Sequence, residues 1–414
     1  MRFTTRLLHE AFAPDPSTGA TTQPLYQTSA FYQPTAEKMA AVFAGKKPGF
    51  VYTRVNNPTV ASFERRINAL EGGVGAVACS SGMAAVSHAV LNILSQGDEI
   101  LASGGLYGGT SSFFRDLASY GIGVRYAAGD RVEDFRAALS ARTKMIYVET
   151  IGNPKLDVVD LAALAKLAHE NDVPLFVDNT VTTPYLCQPL SLGADVVIHS
   201  TSKALNGNAN SIGGIVVSGG KFAWDTVRYP KLREYPFGPM SYIVRLRQRM
   251  VTDYGGCMAP FNAYLTGIGL DTLSLRLDRI TDNAMALVTY LAERGVTVNY
   301  PGLPDSPAHE AAKRQFGGRY GAMLTLRLGT KERAFRFINS LHYALNVSNI
   351  GDARTLVLHP ASTIFLHASA EEKANAGVTD DLVRVNVGLE DIEDLLEDFE
   401  QAFDSLENGV DKSE

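Results

Sequence analysis

The most regular pattern in the chain is a series of short apolar runs that end in polar residues. Residues 174–177 form one such run and are followed directly by Asp178; residues 195–198 form another, and Lys203 follows it after four polar residues. Runs of this kind are typical of buried strands in an α/β sheet, whose ligands bind beyond the carboxyl ends of the strands. The pattern therefore predicts that Asp178 and Lys203 face one pocket.

Strand-like runs alternate with segments of helical period from residue 60 onward, and this order favours a mostly parallel sheet covered by helices. The predicted strands before the pocket cover residues 76–79, 100–102, 124–126 and 145–148, and the predicted helices cover residues 60–70, 83–94, 111–120, 132–139 and 161–170.

Three regions are predicted along the chain. Residues 1–59 contain scattered prolines and no regular period, so we interpret them as an irregular N-terminal arm that contacts a neighbouring subunit. Residues 60–255 are predicted to form a large α/β domain, and residues 256–414 a smaller one. The smaller domain is expected to contain a long helix over residues 261–291, strands at 296–298, 323–326 and 382–387, and helices at 332–344 and 392–403.

Composition mainly excludes classes of partner and site. The chain has 414 residues, 45% of them apolar, and a net charge of −6, so nucleic acid is not expected as a partner. No apolar run has the length of a membrane span, and the N-terminus lacks the apolar core of a signal peptide. The three cysteines are widely separated, which predicts neither a disulfide nor a zinc site and favours the cytoplasm.

Lys203 and Asp178 together suggest the chemistry of the pocket. Lysine forms a Schiff base with carbonyl cofactors, and a carboxylate is the usual partner of a pyridinium nitrogen, so the pair favours pyridoxal phosphate (PLP). Either residue alone would more often be a surface charge or a helix cap.

Other groups are consistent with such a cofactor. Residues 80–83 join a predicted strand to a helix, whose N-terminus suits a phosphate, although a simple capping serine would give the same pattern. Tyr107 follows a strand and either stacks on a ring or packs in the core. Arg384 lies inside an apolar strand, where it forms either a structural ion pair or a clamp for a substrate carboxylate.

Nine stretches, taken together, resemble the Cys/Met metabolism family of PLP-dependent enzymes, which has fold type I. The resemblance implies a mostly parallel seven-stranded sheet domain, a smaller C-terminal α/β domain and an extended N-terminal arm. The matching stretches follow the family order along nearly the whole chain: residues 52–59, 70–73, 81–83, 107–110, 149–154, 177–180, 199–203, 359–362 and 382–390.

The resemblance also implies a role for each matched position. Lys203 would bind the cofactor covalently and move protons, and Asp178 would pair with the ring nitrogen. Tyr107 would stack on the ring, and either Tyr107 or Tyr52 would assist at the leaving group. The other implied ligands are Asn153 for the phenolic oxygen, Gly82, Met83, Ser200 and Ser202 for the phosphate, Tyr52 and Arg54 for the phosphate of a neighbouring subunit, and Arg384 and Asn349 for the substrate.

Within this family the chain resembles the O-acetylhomoserine sulfhydrylases. Methionine γ-lyases tend to carry cysteine where Gly109 stands, and residues 237–247, 257–263 and 349–353 are similar to the sulfhydrylases. The implied reaction is replacement of the acetate of O-acetyl-L-homoserine by a sulfur nucleophile, giving L-homocysteine for methionine biosynthesis. The alternatives are a methionine γ-lyase, a cystathionine γ-synthase or a non-catalytic binding protein of the same fold.

Several features of the reaction stay open at this point. The donor is free sulfide, a thiol or a carrier-protein thiocarboxylate, and the preferred acyl group is not determined. The family suggests a homotetramer with shared active sites. Four residues near the expected pocket depart from the usual family pattern: Ala204, Asn208, Ile364 and Phe365.

Overall fold

Seven strands form the larger of two sheets in the computed structural model, which describes residues 1–408. The strands are β1 (Gly75–Cys79), β2 (Glu99–Ala102), β3 (Gly123–Tyr126), β4 (Thr143–Glu149), β5 (Leu175–Asp178), β6 (Val196–Ser200) and β7 (Gly214–Ser218). They lie in the order β1-β7-β6-β5-β4-β2-β3. Strand β7 runs antiparallel to both of its neighbours, and the other pairs are parallel. The predicted fold class is confirmed.

Helices cover both faces of this sheet, which explains why its central strands are almost entirely apolar. Ile146 and Val148 of β4 pack in one buried cluster, whereas Met145 and Tyr147 of the same strand pack in a second cluster on the other face. The helices up to this point are α1 (Phe3–His9), α2 (Ala36–Phe43), α3 (Pro58–Glu71), α4 (Gly82–Leu91), α5 (Gly108–Asp116), α6 (Val132–Ala138), α7 (Leu161–Glu170), α8 (Thr183–Leu186) and α9 (Ser241–Arg245).

A second sheet of five strands organises the C-terminal region. Its strands are β8 (Thr297–Asn299), β9 (Met323–Arg327), β10 (Leu345–Asn346), β11 (Leu356–Leu358) and β12 (Leu382–Asn386), in the order β10-β11-β12-β9-β8. The accompanying helices are α10 (Pro260–Leu270), α11 (Leu273–Glu293), α12 (His309–Phe316), α13 (Lys331–Ser340), α14 (Ala370–Asn375) and α15 (Ile392–Asn408). None of the helices within residues 1–408 has the length and apolar character that a membrane span requires.

The prediction of one long helix over residues 261–291 is wrong, because the helix is interrupted between α10 and α11. Thr272 leaves the helical conformation at φ −108° and ψ 10°. The Arg276 side chain donates to the Gly269 carbonyl at 2.7 Å and to the Ala204 carbonyl at 2.9 Å. A buried guanidinium from the next helix thus satisfies the end of α10 and makes the break stable.

The N-terminal segment is less irregular than predicted, because it contains α1 and α2. Leu7 of α1 is buried, and Arg6 donates to the Ala69 carbonyl of α3, so this part of the arm packs on its own chain. Helix α2 buries no residue, and Tyr32 and Phe43 are strongly exposed. Contact of residues 1–59 with a neighbouring subunit stays a prediction, as do the boundaries 60–255 and 256–414; residues 409–414 lie outside the described residues.

Candidate active site

The carboxyl ends of β4, β5 and β6 open into a cavity of about 430 Å³ that the C-terminal domain closes from the other side. Ten of the twelve residues that the sequence nominated line this cavity: Gly82, Met83, Tyr107, Asn153, Asp178, Ser200, Ser202, Lys203, Asn349 and Arg384.

One wall of the cavity is acidic. Asp178 ends β5 and Glu149 ends β4, and the two are register partners on neighbouring strands. The Thr180 amide donates to Asp178 Oδ1 at 3.0 Å, and the Tyr147 hydroxyl lies 3.4 Å from Asp178 Oδ2. Glu149 Oε1 accepts from the Tyr107 amide at 2.6 Å. The wall is therefore held rigidly by strand register and backbone hydrogen bonds.

Burial raises the pKa of both carboxyl groups. For Asp178 the hydrogen bonds of Thr180 act against the effect of burial, and for Glu149 the neighbouring Asp178 adds to it. No basic side chain of the described residues forms an ion pair with either group. A cationic ring nitrogen placed here would relieve the cost of two buried carboxylates, because an opposite charge favours the ionised form.

The facing wall is basic and belongs to both domains. Lys203 Nζ donates to Asn349 Oδ1 at 2.6 Å. Arg384, on β12, donates to Asn153 Oδ1 at 3.0 Å and to the Asn349 carbonyl at 3.0 Å. Burial, and then the charge of Arg384, lowers the pKa of Lys203 to about 8. Part of the Lys203 amine is thus neutral near pH 7, and the Arg384 guanidinium lies beside it.

The third wall has the form of a phosphate cradle. Helix α4 begins at Gly82, and its Ser81 cap accepts from the Ala84 amide at 3.0 Å, which leaves the first-turn amides of Gly82 and Met83 without helical acceptors. A Cβ on Gly82 would lie 2.6 Å from Ser200 Cβ, so only glycine lets this turn approach the end of β6. Helix N-termini with free amides suit phosphate groups.

Ser200 and Ser202 differ in their freedom to bind a ligand. The Ser202 hydroxyl accepts from the Gly213 amide at 3.0 Å and donates to the Gly213 carbonyl at 3.2 Å. Ser200 is held through its backbone, whose amide donates to Thr180 Oγ1 at 2.8 Å. Of the two predicted hydroxyl ligands, Ser200 is therefore the freer one, and Ser202 also fixes the loop before β7.

These three walls fit PLP. The acidic wall matches the ring nitrogen, the start of α4 matches the phosphate, and the amine of Lys203 matches the aldehyde. Tyr107, whose side chain is 41% exposed at the cavity, offers an aromatic face to the ring.

Tyr52 and Arg54 lie outside the cavity of their own chain. Arg54 is stacked 5.4 Å from the centre of the Tyr52 ring, and its guanidinium donates to the Thr252 carbonyl. Tyr52 is 43% exposed. The sequence assigned both residues to the phosphate of a neighbouring subunit, and this assignment stays a prediction.

Some residues of the site were not foreseen. Glu149 ends an apolar run just as Asp178 does, so the same strand-end signal would have found it. Thr180 gave no such signal, because its role depends on its contact with Ser200 across the strands. Of the four departures from the family pattern, Ile364 lines the cavity, Ala204 and Phe365 are buried, and Asn208 bonds to the Asn206 carbonyl.

Comparisons with known proteins agree with the geometry. O-acetyl-L-homoserine sulfhydrylase 1 of Thermus thermophilus is 41% identical, over 97% of this chain and all of that protein. A solved putative O-acetylhomoserine (thiol)-lyase of Campylobacter jejuni, which contains N′-pyridoxyl-lysine-5′-monophosphate, has a TM-score of 0.92, with 30% identity over 98% of this chain and all of that one. Cystathionine γ-synthase of Xanthomonas oryzae has a TM-score of 0.88, with 30% identity over 99% of this chain and all of that one.

The family model described as Cys/Met metabolism PLP-dependent enzyme matches residues 4–404. With this match over nearly the whole chain, and with a cavity that fits the cofactor, the chain belongs to the Cys/Met metabolism family of PLP-dependent enzymes.

Proposed function

We propose that the chain is an O-acetyl-L-homoserine sulfhydrylase. It replaces the acetate of O-acetyl-L-homoserine by a sulfur nucleophile, so that a carbon–sulfur bond forms, a carbon–oxygen bond breaks, and L-homocysteine and acetate are released. The observation that carries the proposal is the Lys203 amine, held beside Arg384 and facing the carboxyl groups of Asp178 and Glu149 in one cavity. Relatives of about 40% identity over the full length carry this activity in their names.

Eight residues of one chain and two of a neighbouring chain are proposed to hold each cofactor. Bound PLP supplies an aldehyde that condenses with amines and a ring that withdraws electrons from the α-carbon. Asp178 holds the ring nitrogen in its protonated form, Tyr107 covers the ring, and Asn153 reaches the phenolic oxygen. Lys203 provides the amine, and the phosphate is held by Gly82, Met83, Ser200 and Ser202, with Tyr52 and Arg54 contributed by a neighbouring subunit.

Lys203 is proposed to move the protons of the reaction. Its amine acts as a base only when it is neutral, and the pKa of about 8 that burial and Arg384 impose leaves about a tenth of the amine neutral at pH 7. The amine would remove the α-proton of the bound amino acid, pass that proton to the cofactor and so become neutral again, and then remove a proton from the β-carbon before acetate leaves from the γ-carbon. The same amine returns protons after sulfur has added.

Arg384 is proposed to orient the substrate. Its guanidinium is fixed by Asn153 and by the Asn349 carbonyl, and its planar fork matches an α-carboxylate. Asn349 holds Lys203 Nζ at 2.6 Å and thereby sets the lysine beside the bound carboxylate. Either Tyr107 or Tyr52 is proposed to assist departure of the acetate.

The assembly is proposed to be a homotetramer of close dimers in the cytoplasm. Exposure of Tyr52 outside its own cavity supports a shared active site, and the cysteines, which are all free, are consistent with a reducing compartment. We further propose residues 1–59 as the arm that reaches the partner, residues 60–255 as the cofactor domain and residues 256–414 as the domain that closes the pocket.

A three-substrate assay tests the proposal. One preparation is given O-acetylhomoserine with sulfide, O-succinylhomoserine with cysteine, and methionine alone. Homocysteine from the first mixture at the highest kcat/KM is the expected result. Faster turnover of the second mixture would favour a cystathionine γ-synthase, a class suggested by the fold neighbour from Xanthomonas oryzae. Methanethiol released from methionine would favour a γ-lyase, and no turnover with any mixture would favour a binding protein.

A further inference from the structure

A buried cluster of polar side chains lies on the face of the sheet opposite the cavity. Glu71, the last residue of α3, is 2% exposed, and His199 on β6 is fully buried. His199 Nε2 lies 2.7 Å from Glu71 Oε1, and the same oxygen accepts from Asn179 Nδ2 at 2.9 Å. Glu71 therefore bonds to residues at the carboxyl ends of two adjacent strands, β5 and β6.

The two residues that Glu71 bonds are direct sequence neighbours of cofactor ligands. Asn179 follows Asp178, and His199 precedes Ser200. Asp178 is paired with Ile198, so Asp178 and Ser200 point to the cavity face, whereas Asn179 and His199 point to the opposite face. A bond between Glu71 and these two side chains therefore fixes the places from which Asp178 and Ser200 project.

This cluster is energetically unfavourable as part of a hydrophobic core. Glu71 Oε2 and His199 Nδ1 are buried and have no hydrogen-bond partner within residues 1–408. A buried ion pair contributes little stability compared with well-packed apolar residues, and unpaired buried polar atoms oppose folding. Apolar side chains would serve packing better at this place. Asp195 Oδ1 is buried without a partner in the same way, so this pair is distinguished by its position next to Asp178 and Ser200.

An electrostatic effect runs in the same direction. Burial raises the pKa of Asp178, and after the hydrogen bonds of Thr180 a positive charge on His199 is the next influence that lowers it again. A protonated His199 would thus act on Asp178 across the sheet as well as through the backbone.

We infer that Glu71 and His199 are positioning residues for the cofactor: they hold the ends of β5 and β6 so that Asp178 and Ser200 keep the spacing that the ring nitrogen and the phosphate require. This inference rests on the proposed cofactor site and adds to it two residues that touch neither cofactor nor substrate.

The test compares Glu71→Gln with Asp195→Asn. Asp195 is as buried as Glu71 and lies at the amino ends of the same two strands. Its Oδ2 atom lies 2.9 Å from His169 Nε2. The measured quantity is the dissociation constant of PLP from the full-length holoenzyme. Residues that orient metal ligands from behind typically change metal affinity by about 10- to 100-fold, and we take the lower end of that range for PLP. We expect about 10-fold weaker binding and a changed position of the visible cofactor band in Glu71→Gln, and less than about 2-fold change in Asp195→Asn.

His199→Gln provides a second route, should one variant fold poorly. The double variant Glu71→Gln/His199→Gln is expected to bind PLP about as weakly as either single variant, because the two residues act as one unit. Equal loss of affinity in Glu71→Gln and Asp195→Asn, or unchanged affinity in Glu71→Gln and His199→Gln, would overturn the inference. Uptake of PLP and the three-substrate assay on the parent protein test the proposed function separately, so the two failures are distinguishable.

Discussion

A buried carboxylate lies beside a histidine at both ends of strands β5 and β6, but the surroundings of the two pairs differ. At the amino ends, Asp195 Oδ2 accepts from the Leu175 amide at 2.8 Å and lies 2.9 Å from His169 Nε2. At the carboxyl ends, Glu71 Oε1 accepts from Asn179 Nδ2 and lies 2.7 Å from His199 Nε2. In both places the second carboxylate oxygen is buried without a partner within residues 1–408.

The difference lies in solvent and in neighbours. The His169 side chain is 41% exposed, whereas that of His199 is 0% exposed. Leu175 and Asp195, at the amino ends, do not line the cavity, whereas Asp178 and Lys203, at the carboxyl ends, do. Parallel sheets concentrate binding groups at the carboxyl ends of their strands, and in this sheet Asp178 and Ser200 line the cavity at those ends. We therefore expect the carboxyl ends to serve the site and the amino ends to serve stability.

The largest effect is expected from Lys203→Ala. Without the amine, the proposed acceptor of the α-proton is missing, so kcat with O-acetylhomoserine and sulfide should fall about 10³-fold or more. Lys231→Ala is the matched control, because Lys231 is also partly buried, with its pKa lowered by burial, but donates to the Leu91 carbonyl away from the cavity. A Lys203→Ala protein that kept full turnover would refute the proposed mechanism.

The next comparison is Asp178→Asn against Asp195→Asn. Both substitutions replace a carboxylate on the same pair of strands by an isosteric amide. Asp178→Asn should lower kcat about 10²-fold, because an amide cannot hold a protonated ring nitrogen. Asp195→Asn should leave kcat within about 2-fold and instead lower the free energy of unfolding by about 1–3 kcal/mol. Steady-state kinetics and chemical denaturation measure the two quantities, and equal kinetic losses would remove the distinction between the ends.

Local sequence patterns were sufficient to predict the sheet and most of the cavity. Asp178, Lys203 and the turn at Gly82 each stand at the end of an apolar run, and the run itself fixes which edge of the sheet they occupy. The fold follows from the same alternation, because buried strands and amphipathic helices have different periods. Roles beyond placement, such as the stacking of Tyr107, came from family resemblance.

Contacts between distant residues could not be predicted in this way. Glu71 and His199 are separated by 128 positions, and nothing in the run at 195–198 indicates that the following histidine is buried against a carboxylate. The break between α10 and α11 depends on Arg276 bonding the Ala204 carbonyl, 72 positions away. The helices of the N-terminal arm were missed because each is only 7 or 8 residues long.

The pH dependence of PLP uptake by the apoenzyme is a further test of the site at the carboxyl ends. The pKa of Lys203 is lowered to about 8, first by burial and then by Arg384. Condensation with the PLP aldehyde requires the neutral amine, so the rate at which apoenzyme takes up PLP should rise about 10-fold between pH 7 and pH 9 and level off above. Arg384→Gln should move the midpoint upward, because it removes a positive charge beside the amine. A rate that keeps rising tenfold per pH unit to pH 10 would contradict the lowered pKa.

The smallest effect is expected at the amino end, from His169→Gln. The hydrogen bond to Asp195 raises the pKa of His169 above its ordinary value of 6.5. A raised folded-state pKa gives stability that is fully present below the unfolded pKa and is lost as pH rises through the folded one. The parent protein should therefore lose more unfolding free energy than His169→Gln between about pH 6 and pH 8. Because His169 is 41% exposed, solvent screening should keep this difference below about 1 kcal/mol. Thermal denaturation at both pH values measures this difference in unfolding free energy, and the two proteins should have equal turnover at each pH. A difference of the opposite sign would show that the imidazole is neutral in the folded protein.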